Sequence, residues 1–241
     1  MSASSLPDPR RAGCDHVETW VFDLDNTLYP ATSSLFPQID VRMRQFIADR
    51  LRLPLDEAYA LQKRYYRDFG TTLRGLMLVD GLEPEAFLAY VHDIDHSVLA
   101  PQARLDTALA CLPGRKLVFT NGTERHAVKV LERLGVARHF EGIFDIAAAR
   151  YIPKPAPETY ALMVARHGVA APASAMVEDL HRNLAPAAAI GMTTVWLRQD
   201  NHPDAAVIGQ DEAHPPHVHH VVEDLPAWLE RVGGGGERGR R

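Results

Sequence analysis

Short apolar runs that end in polar or acidic residues, each followed by a helical pattern, set the tightest limit on how this 241-residue chain can fold. Residues 19–22 (TWVF) run into Asp23-Leu24-Asp25, and residues 116–120 (KLVFT) stop at Asn121-Gly122. Residues 142–146, 175–177 and 193–197 are further runs of this kind, and residues 217–222 read as a last, edge strand. Helical spacing lies between them. Residues 124–134 carry Val128, Val130, Leu131 and Leu134 and then meet Gly135. Residues 157–167 begin with a proline and end before Gly168, and residues 180–190 end at Gly191. Proline in the first turn and glycine just past the last are the expected helix punctuation. Strand and helix in strict alternation, with short connections, predict a parallel sheet covered on both faces.

One segment breaks that rhythm. Between residues 32 and 100 no convincing strand occurs, only helical periodicity: Phe36, Ile39, Met43, Phe46, Ile47 and Leu51 share one face. Residues 56–69 and 84–96 read the same way. About 70 residues are too many for a loop in a compact domain. The expected fold class is therefore α/β, a doubly wound parallel sheet with an inserted helical cap. Residues 17–31 and 101–232 would form the core and residues 32–100 the cap. Residues 1–13, small and polar, and residues 233–241 (GGGGERGRR) would be disordered tails.

Composition narrows the function by exclusion. A net charge of −5 gives no general electrostatic grip on polymeric nucleic acid or anionic membranes, so any phosphate must be held by a local site. Hydrophobic residues make up 46% and no run reaches the ~20 apolar residues of a membrane span. Cys14 and Cys111 have no metal or disulfide spacing and read as free thiols. The opening residues carry charges and no apolar run, so no signal peptide is expected, and the location is expected to be cytoplasmic.

Four places carry chemistry. In Asp23-Leu24-Asp25-Asn26-Thr27, side chains at i and i+2 of an extended chain point the same way, so Asp23 and Asp25 converge where open α/β sheets place ligands. Paired carboxylates call for a cation or a shared proton, and Mg²⁺ prefers such hard oxygen donors. Taken alone, the same residues also fit a surface turn. Thr120-Asn121-Gly122 suits a phosphate oxygen, or merely caps the next helix. Lys154, between Pro153 and Pro155, has little backbone freedom and could hold a positive charge beside carboxylates, or be a solvated loop lysine. Glu178-Asp179 closes another apolar run, where one acidic residue would suffice as a helix cap.

In this order, each at the end of a different strand, the four resemble the motifs of the haloacid dehalogenase-type hydrolase superfamily: DLDNT (23–27), FTNG (119–122), Lys154 within IPKP, and VED (177–179). The resemblance spans residues 20–228. It implies that Asp23 attacks phosphorus and becomes an aspartyl phosphate, and that Asp25 acts as acid and then base while its main-chain carbonyl binds Mg²⁺. Asp179 would complete the metal site and Glu178 would hold a metal-bound water. Thr120 and the Asn121 N–H would take phosphate oxygens, and Lys154 would neutralise nucleophile and phosphoryl group. Halide-cleaving members lack the second aspartate, so Asp25 favours phosphate chemistry.

Residues 22–30 (FDLDNTLYP), 35–40 (LFPQID) and 69–77 further resemble the pyrimidine 5′-nucleotidase branch, which has a helical cap after the first motif. Here Phe69 stands for a tyrosine of that pattern and Glu178-Asp179 for a frequent Asp-Asp; Asn183 either hydrogen-bonds the metal shell or caps a turn. The resemblance implies a Mg²⁺-dependent phosphomonoesterase acting on UMP or CMP, as a monomer or homodimer. The alternatives are a phosphatase for a sugar phosphate or a lysophospholipid, and a scaffold that kept the fold without turnover. Thr71, Thr72 and Arg74 are the expected readers of the leaving group, ahead of Tyr65, Tyr66 and Phe69; Tyr65, Phe69 and Leu73 are also spaced as a buried helix face. His214, His217, His219 and His220 lie too loosely for a zinc site and read as a loop entering the edge strand.

Overall fold

The strand nearest the amino terminus, β1 (Thr19–Phe22), is wholly buried, so its side chains must find apolar partners on both faces. It lies mid-sheet in a computed structural model that describes residues 13–199 and 214–234. Trp20 and Phe22 point to one side, with Val118, Val177 and Val195, under α5 (Ala103–Cys111), α6 (Glu124–Leu134) and α9 (Leu225–Gly234). Val21 points to the other, with Leu117, Phe119 and Met176, under α7 (Pro157–His167) and α8 (His181–Ala189). Each fully buried Val or Phe stabilises the fold by about 1.5–3 kcal/mol.

The remaining strands are β2 (Arg115–Phe119), β3 (Gly142–Phe144), β4 (Ser174–Glu178), β5 (Thr193–Leu197) and β6 (His220–Val222). The sheet order is β3-β2-β1-β4-β5-β6 and every pairing is parallel. This is the doubly wound α/β sheet expected from the alternation. The order reverses beside β1, and such a switch point opens a crevice at the carboxyl ends of the strands. Phe22 is level with Val118 on one side and Val177 on the other, so the residues just beyond all three strands meet there.

The insert holds α1 (Phe36–Leu51), α2 (Leu55–Phe69), α3 (Thr72–Asp80) and α4 (Pro84–Val91). It has its own apolar cluster, built on Ile39, Ile47, Tyr65, Leu73, Leu76, Phe87 and Val91, which Ile146 of the sheet side joins. Helix α3 is capped at its start by Thr71, whose hydroxyl accepts the Arg74 N–H at 3.2 Å. Gly75 lets α3 lie against Tyr65 of α2, since a Cβ there would come within 2.3 Å of that ring.

Helix α9 runs through Gly233 and Gly234, two residues that the composition assigned to a tail. A Cβ on Gly233 would sit 2.8 Å from the Cys111 carbonyl, so glycine is what allows α9 to close on α5. Residues 1–12 and 235–241 of the expected tails lie outside the described residues. Cys14 is half-buried in a short 3₁₀ turn, and Cys111 is exposed at the end of α5; both are free thiols. Among the described residues no helix is long and apolar enough to cross a membrane.

Candidate active site

Asp23 follows β1 directly, and its N–H donates to Val177 O at 2.9 Å, so its backbone is still held by the sheet. The chain then turns sharply. Thr27 and Leu28 both donate to the Leu24 carbonyl, and Asn26 adopts a left-handed conformation (φ 63°) that asparagine tolerates better than most residues. The turn brings Thr27 Oγ1 back to Asp23 Oδ2 at 2.9 Å and to Asp179 Oδ1 at 3.3 Å.

Lys154 is 1% exposed. Its Nζ donates to Asp23 Oδ1 and Glu178 Oε2, both at 2.7 Å, and to Phe119 O at 2.9 Å. A loop places it there: the Lys154 N–H donates to Asn121 Oδ1 at 2.8 Å, and Asn121 Nδ2 returns a bond to Lys154 O at 3.4 Å. The Asn121 side chain therefore braces the lysine loop, a role its sequence position did not reveal. Thr120 Oγ1 accepts the Gly122 N–H at 2.8 Å and, among the described residues, donates to no acceptor, so its proton is available to a phosphate oxygen. Glycine at 122 keeps this corner open; a Cβ there would stand 3.2 Å from Thr120 Oγ1 and 3.6 Å from Asp25 Oδ2.

The charges do not balance. Asp23, Glu178 and Asp179 offer oxygens within 4.8 Å of one another, against one lysine. Burial pushes the Asp23 carboxyl up to about 7, with Glu178 adding to the rise and Lys154 opposing it. Burial likewise pushes Glu178 up to about 7, against the pull of Lys154. Lys154 is desolvated, but the two carboxylates outweigh that and hold it above the usual lysine range. A divalent cation with a preference for oxygen fits this excess. Glu178 already accepts from Lys154 and, through Oε1, from the Leu180 N–H at 3.3 Å. Asp23 is likewise engaged at both oxygens, by Lys154 and Thr27, so Asp23, Glu178 and Asp179 stand together as the carboxylates placed for ligation. Asn183 Oδ1, buried at the same wall, has no hydrogen-bond partner among the described residues and suits a metal-bound water.

Asp25 stands apart from this cluster. Its Oδ1 accepts from Tyr29 OH at 2.5 Å and lies 2.9 Å from His126 Nε2. His126 Nδ1 lies 3.1 Å from His96 Nε2, and His96 Nδ1 is 3.1 Å from Ile94 O. His92 stacks on His126 with ring centroids 4.6 Å apart and 16° between planes. Both ends of this chain of contacts are acceptors. Its three links need three protons, of which two neutral imidazoles supply two. The third is carried on an imidazole facing the carboxylate or on Asp25 itself. Burial pushes Asp25 up, but the charge and hydrogen bond of His126 and the bond from Tyr29 outweigh it, so its pKa lies below the usual range. His92 is driven down to about 3, first by burial and then by His126.

A cavity of about 150 Å³ joins this floor to the cap. Asp23, Asp25, Thr120, Asn121, Lys154, Glu178 and Asp179 all line it. From the cap, Thr71 and Thr72 reach the cavity, but the Thr71 hydroxyl caps α3 and Thr72 Oγ1 donates to Gln62 O at 3.1 Å. Arg74 does not line it: two residues beyond Thr72 is about 200° around a helix, which turns its side chain away. Asp40, Gln62, Lys63 and Tyr66 stand there instead, set among Phe36, Ile39, Met43 and Phe87. Lys63 Nζ and Gln62 Nε2 both donate to Asp40 Oδ1, at 2.7 and 2.9 Å. Of these cap residues the sequence reading named Tyr66 as a candidate but missed Asp40, Gln62 and Lys63, and it missed His92, His96, His126 and Tyr29. Tyr29 was accessible in principle, four residues past Asp25; the histidines come from segments far apart in the chain.

Comparison with known proteins agrees with this geometry. A family model described as haloacid dehalogenase-like hydrolase matches residues 17–191. Phosphate metabolism protein 8 of Saccharomyces cerevisiae is 29% identical over 205 residues, which cover 78% of this chain. The match spans 62% of the yeast protein's length. Among solved structures, a HAD phosphatase from Thermococcus onnurineus superposes with a TM-score of 0.59 at 18% identity, over 91% of this chain and 99% of that one. The magnesium-bound HAD-hydrolase YfnB of Bacillus subtilis gives 0.57 at 15% identity, over 90% and 98%. At such identities the likeness is one of fold.

Proposed function

Since the chain belongs to the haloacid dehalogenase-like hydrolases, we propose that it is a Mg²⁺-dependent phosphomonoesterase in which Asp23 is the nucleophile. The observation that carries this reading is the pair of unlike carboxylates: Asp23 against Lys154 at 2.7 Å, and Asp25 tied to Tyr29 and His126. A nucleophile must be anionic, which at Asp23 falls to Lys154 and a bound cation working against the rise that burial causes, and an acid-base group needs hydrogen-bond partners of its own, which Asp25 has in Tyr29 and His126. The magnesium bound to the Bacillus protein, and the Thermococcus protein's being a phosphatase, support the same reading.

Asp23 Oδ1 is held by Lys154 and Oδ2 by Thr27, which fixes the carboxylate plane before substrate arrives. Attack on phosphorus forms the Asp23–phosphoryl bond and breaks the bond to the leaving oxygen. Thr120 Oγ1 and Lys154 take the phosphoryl oxygens, on which negative charge is spread in the transition state. Asp25 gives the leaving oxygen its proton, then accepts one from the water that hydrolyses the aspartyl phosphate. Mg²⁺ at Asp23, Asp179 and the Asp25 main-chain carbonyl would supply charge neutralisation.

The finer reading is a pyrimidine 5′-nucleotidase acting on UMP and CMP. The sequence features that support it are the residues 22–30, 35–40 and 69–77; in the cavity, Asp40, Gln62 and Lys63 offer the polar atoms a base edge or ribose would need, among apolar walls that a ring would fill. The test is phosphate release across the four ribonucleoside monophosphates, a sugar phosphate and a lysophosphatidic acid, with and without Mg²⁺. Preference for UMP and CMP supports the nucleotidase. Preference for one of the other esters leaves the phosphatase and replaces its substrate. Absence of Mg²⁺-dependent release from any ester, including an activated aryl phosphate, removes both.

A further inference from the structure

We propose that His126 is a positioning residue for Asp25, and that it is set by His96 and His92, which come from the far end of the cap segment. This rests on the reading of Asp25 as the acid-base group given above.

His126 is 1% exposed and sits in the first turn of α6, just past the Thr120-Asn121-Gly122 loop. Its backbone is placed by the Thr123 cap, whose hydroxyl accepts the His126 N–H at 3.3 Å. That same hydroxyl lies 3.2 Å from His92 Nδ1, so one threonine fixes both the helix start and the ring stacked on His126. The imidazole then bridges two groups. Nε2 faces Asp25 Oδ1 at 2.9 Å, and Nδ1 faces His96 Nε2 at 3.1 Å. With Tyr29 on the same Oδ1, the carboxyl is held through one oxygen, leaving Oδ2 directed toward Gly122 and the cavity. A buried ring held at both nitrogens and stacked on a third cannot turn. Nothing in a general helix-packing role requires that ring to meet the one carboxyl whose orientation sets proton delivery.

His92 ends α4, and His96 begins the 3₁₀ turn His96–Val98 on the return to the sheet. Tyr29 and His126, which touch Asp25, belong to the core, while His92 and His96, which fix the His126 ring, come from the cap segment, so the brace is complete only when that segment is seated as it is here. Proton delivery to the leaving group then depends on the element that surrounds the leaving group, through contacts of 2.9 and 3.1 Å.

The two ring nitrogens can be separated by substitution. In His126→Gln the amide nitrogen falls near the place of Nε2 and can still reach Asp25. In His126→Asn the shorter amide falls near Nδ1, so it can keep His96 but not Asp25. Each variant, with Asp25→Asn alongside, is followed through the first turnover, before the aspartyl phosphate is hydrolysed, on 4-nitrophenyl phosphate, whose leaving group needs no proton, and on an alkyl phosphate, whose leaving group does. Melting temperature checks the fold. The expected result is that His126→Asn lowers the first-turnover rate on the alkyl ester by about tenfold or more while barely changing that on the aryl ester, in the manner of a weakened general acid. His126→Gln should keep most of the alkyl activity. Equal losses on both esters in His126→Asn, or equal behaviour of Asn and Gln, would overturn the proposal and leave His126 a packing residue. If Asp25→Asn itself fails to discriminate between the esters, the acid-base reading falls and takes this inference with it. If Asp25→Asn discriminates and His126→Asn does not, this inference alone falls.

Discussion

Asp23 and Asp25 are two residues apart and were expected to act as a converging pair, yet they face different partners. Asp23 is held by a buried lysine and a threonine, Asp25 by a tyrosine and a histidine. That difference divides the labour, and substitutions should show it. Asp25→Asn should cut turnover of esters with poor leaving groups by roughly 10²–10⁴-fold and spare an activated aryl phosphate in the first step. Burst kinetics on both kinds of ester would measure it; equal losses would mean that Asp25 serves only to bind metal. Lys154→Met should be costly for another reason. It strands Asp23 and Glu178, buried and unpaired, and breaking such a pair costs about 3–5 kcal/mol. Chemical denaturation at neutral pH would show the loss, and Mg²⁺ should recover part of it.

The raised carboxyls at Asp23 and Glu178 also set a pH dependence for the metal-free protein. A carboxyl whose folded pKa lies above its unfolded value binds its proton more tightly when folded. Its stabilising effect is full below the unfolded value and is lost as pH rises toward about 7, the folded value for both groups. Metal-free protein should therefore melt at a lower temperature at pH 8 than at pH 5.5 so far as these groups govern it. The rise in Tm on adding Mg²⁺ should be larger at pH 8, where the cation meets carboxylates and does not have to displace protons. A Mg²⁺ effect that is equal at both values would argue against these carboxyls as the cation's ligands.

Among elements, those with strong punctuation were legible in the sequence. Strand β5 and helices α6 and α7 have the bounds that alternation, proline and glycine announced. Helix α3 was not separated from its neighbours, because nine residues carry few turns of periodicity and its cap, Thr71, reads equally well as a ligand. The core was ended at residue 232 because a glycine run reads as a breaker, whereas Gly233 belongs to α9 and is used for its lack of a Cβ against Cys111. The loops at Asp23, Thr120 and Glu178-Asp179 were legible since each closes or directly follows a strand, β1, β2 or β4, whereas Lys154 does not end a strand as expected but stands in the connection between β3 and α7. The histidine brace was not legible, because His92 and His96 lie 30 or more residues before His126 and each alone resembles an ordinary helix-end histidine. In the cap, Lys63→Ala should raise KM for the preferred substrate by about tenfold or more, as expected for a charge-assisted hydrogen bond of about 1.5–3 kcal/mol. Arg74→Ala should leave KM unchanged, since that side chain does not line the cavity. Steady-state kinetics on both variants decides between them; the reverse pattern would restore Arg74 as the reader.

At the scale of the whole molecule, on the proposed reading the sheet supplies a phosphoryl site that any ester could use, and the inserted helices supply walls that only some leaving groups would fill. Both parts follow from the sequence: alternation builds the sheet, and an uninterrupted helical stretch after β1 builds the cap with its own core. The central claim is that Asp23 forms a covalent aspartyl phosphate, and trapping that species tests it most directly. Protein quenched in acid during turnover of an activated phosphate ester, with Asp25→Asn used to slow the second step, would be digested and its peptides examined by mass spectrometry. The account predicts one phosphoryl group on the peptide containing Asp23, absent in Asp23→Asn, which should also release no phosphate. Phosphate release that persists in Asp23→Asn, or a phosphoryl group found on a different residue, would contradict it.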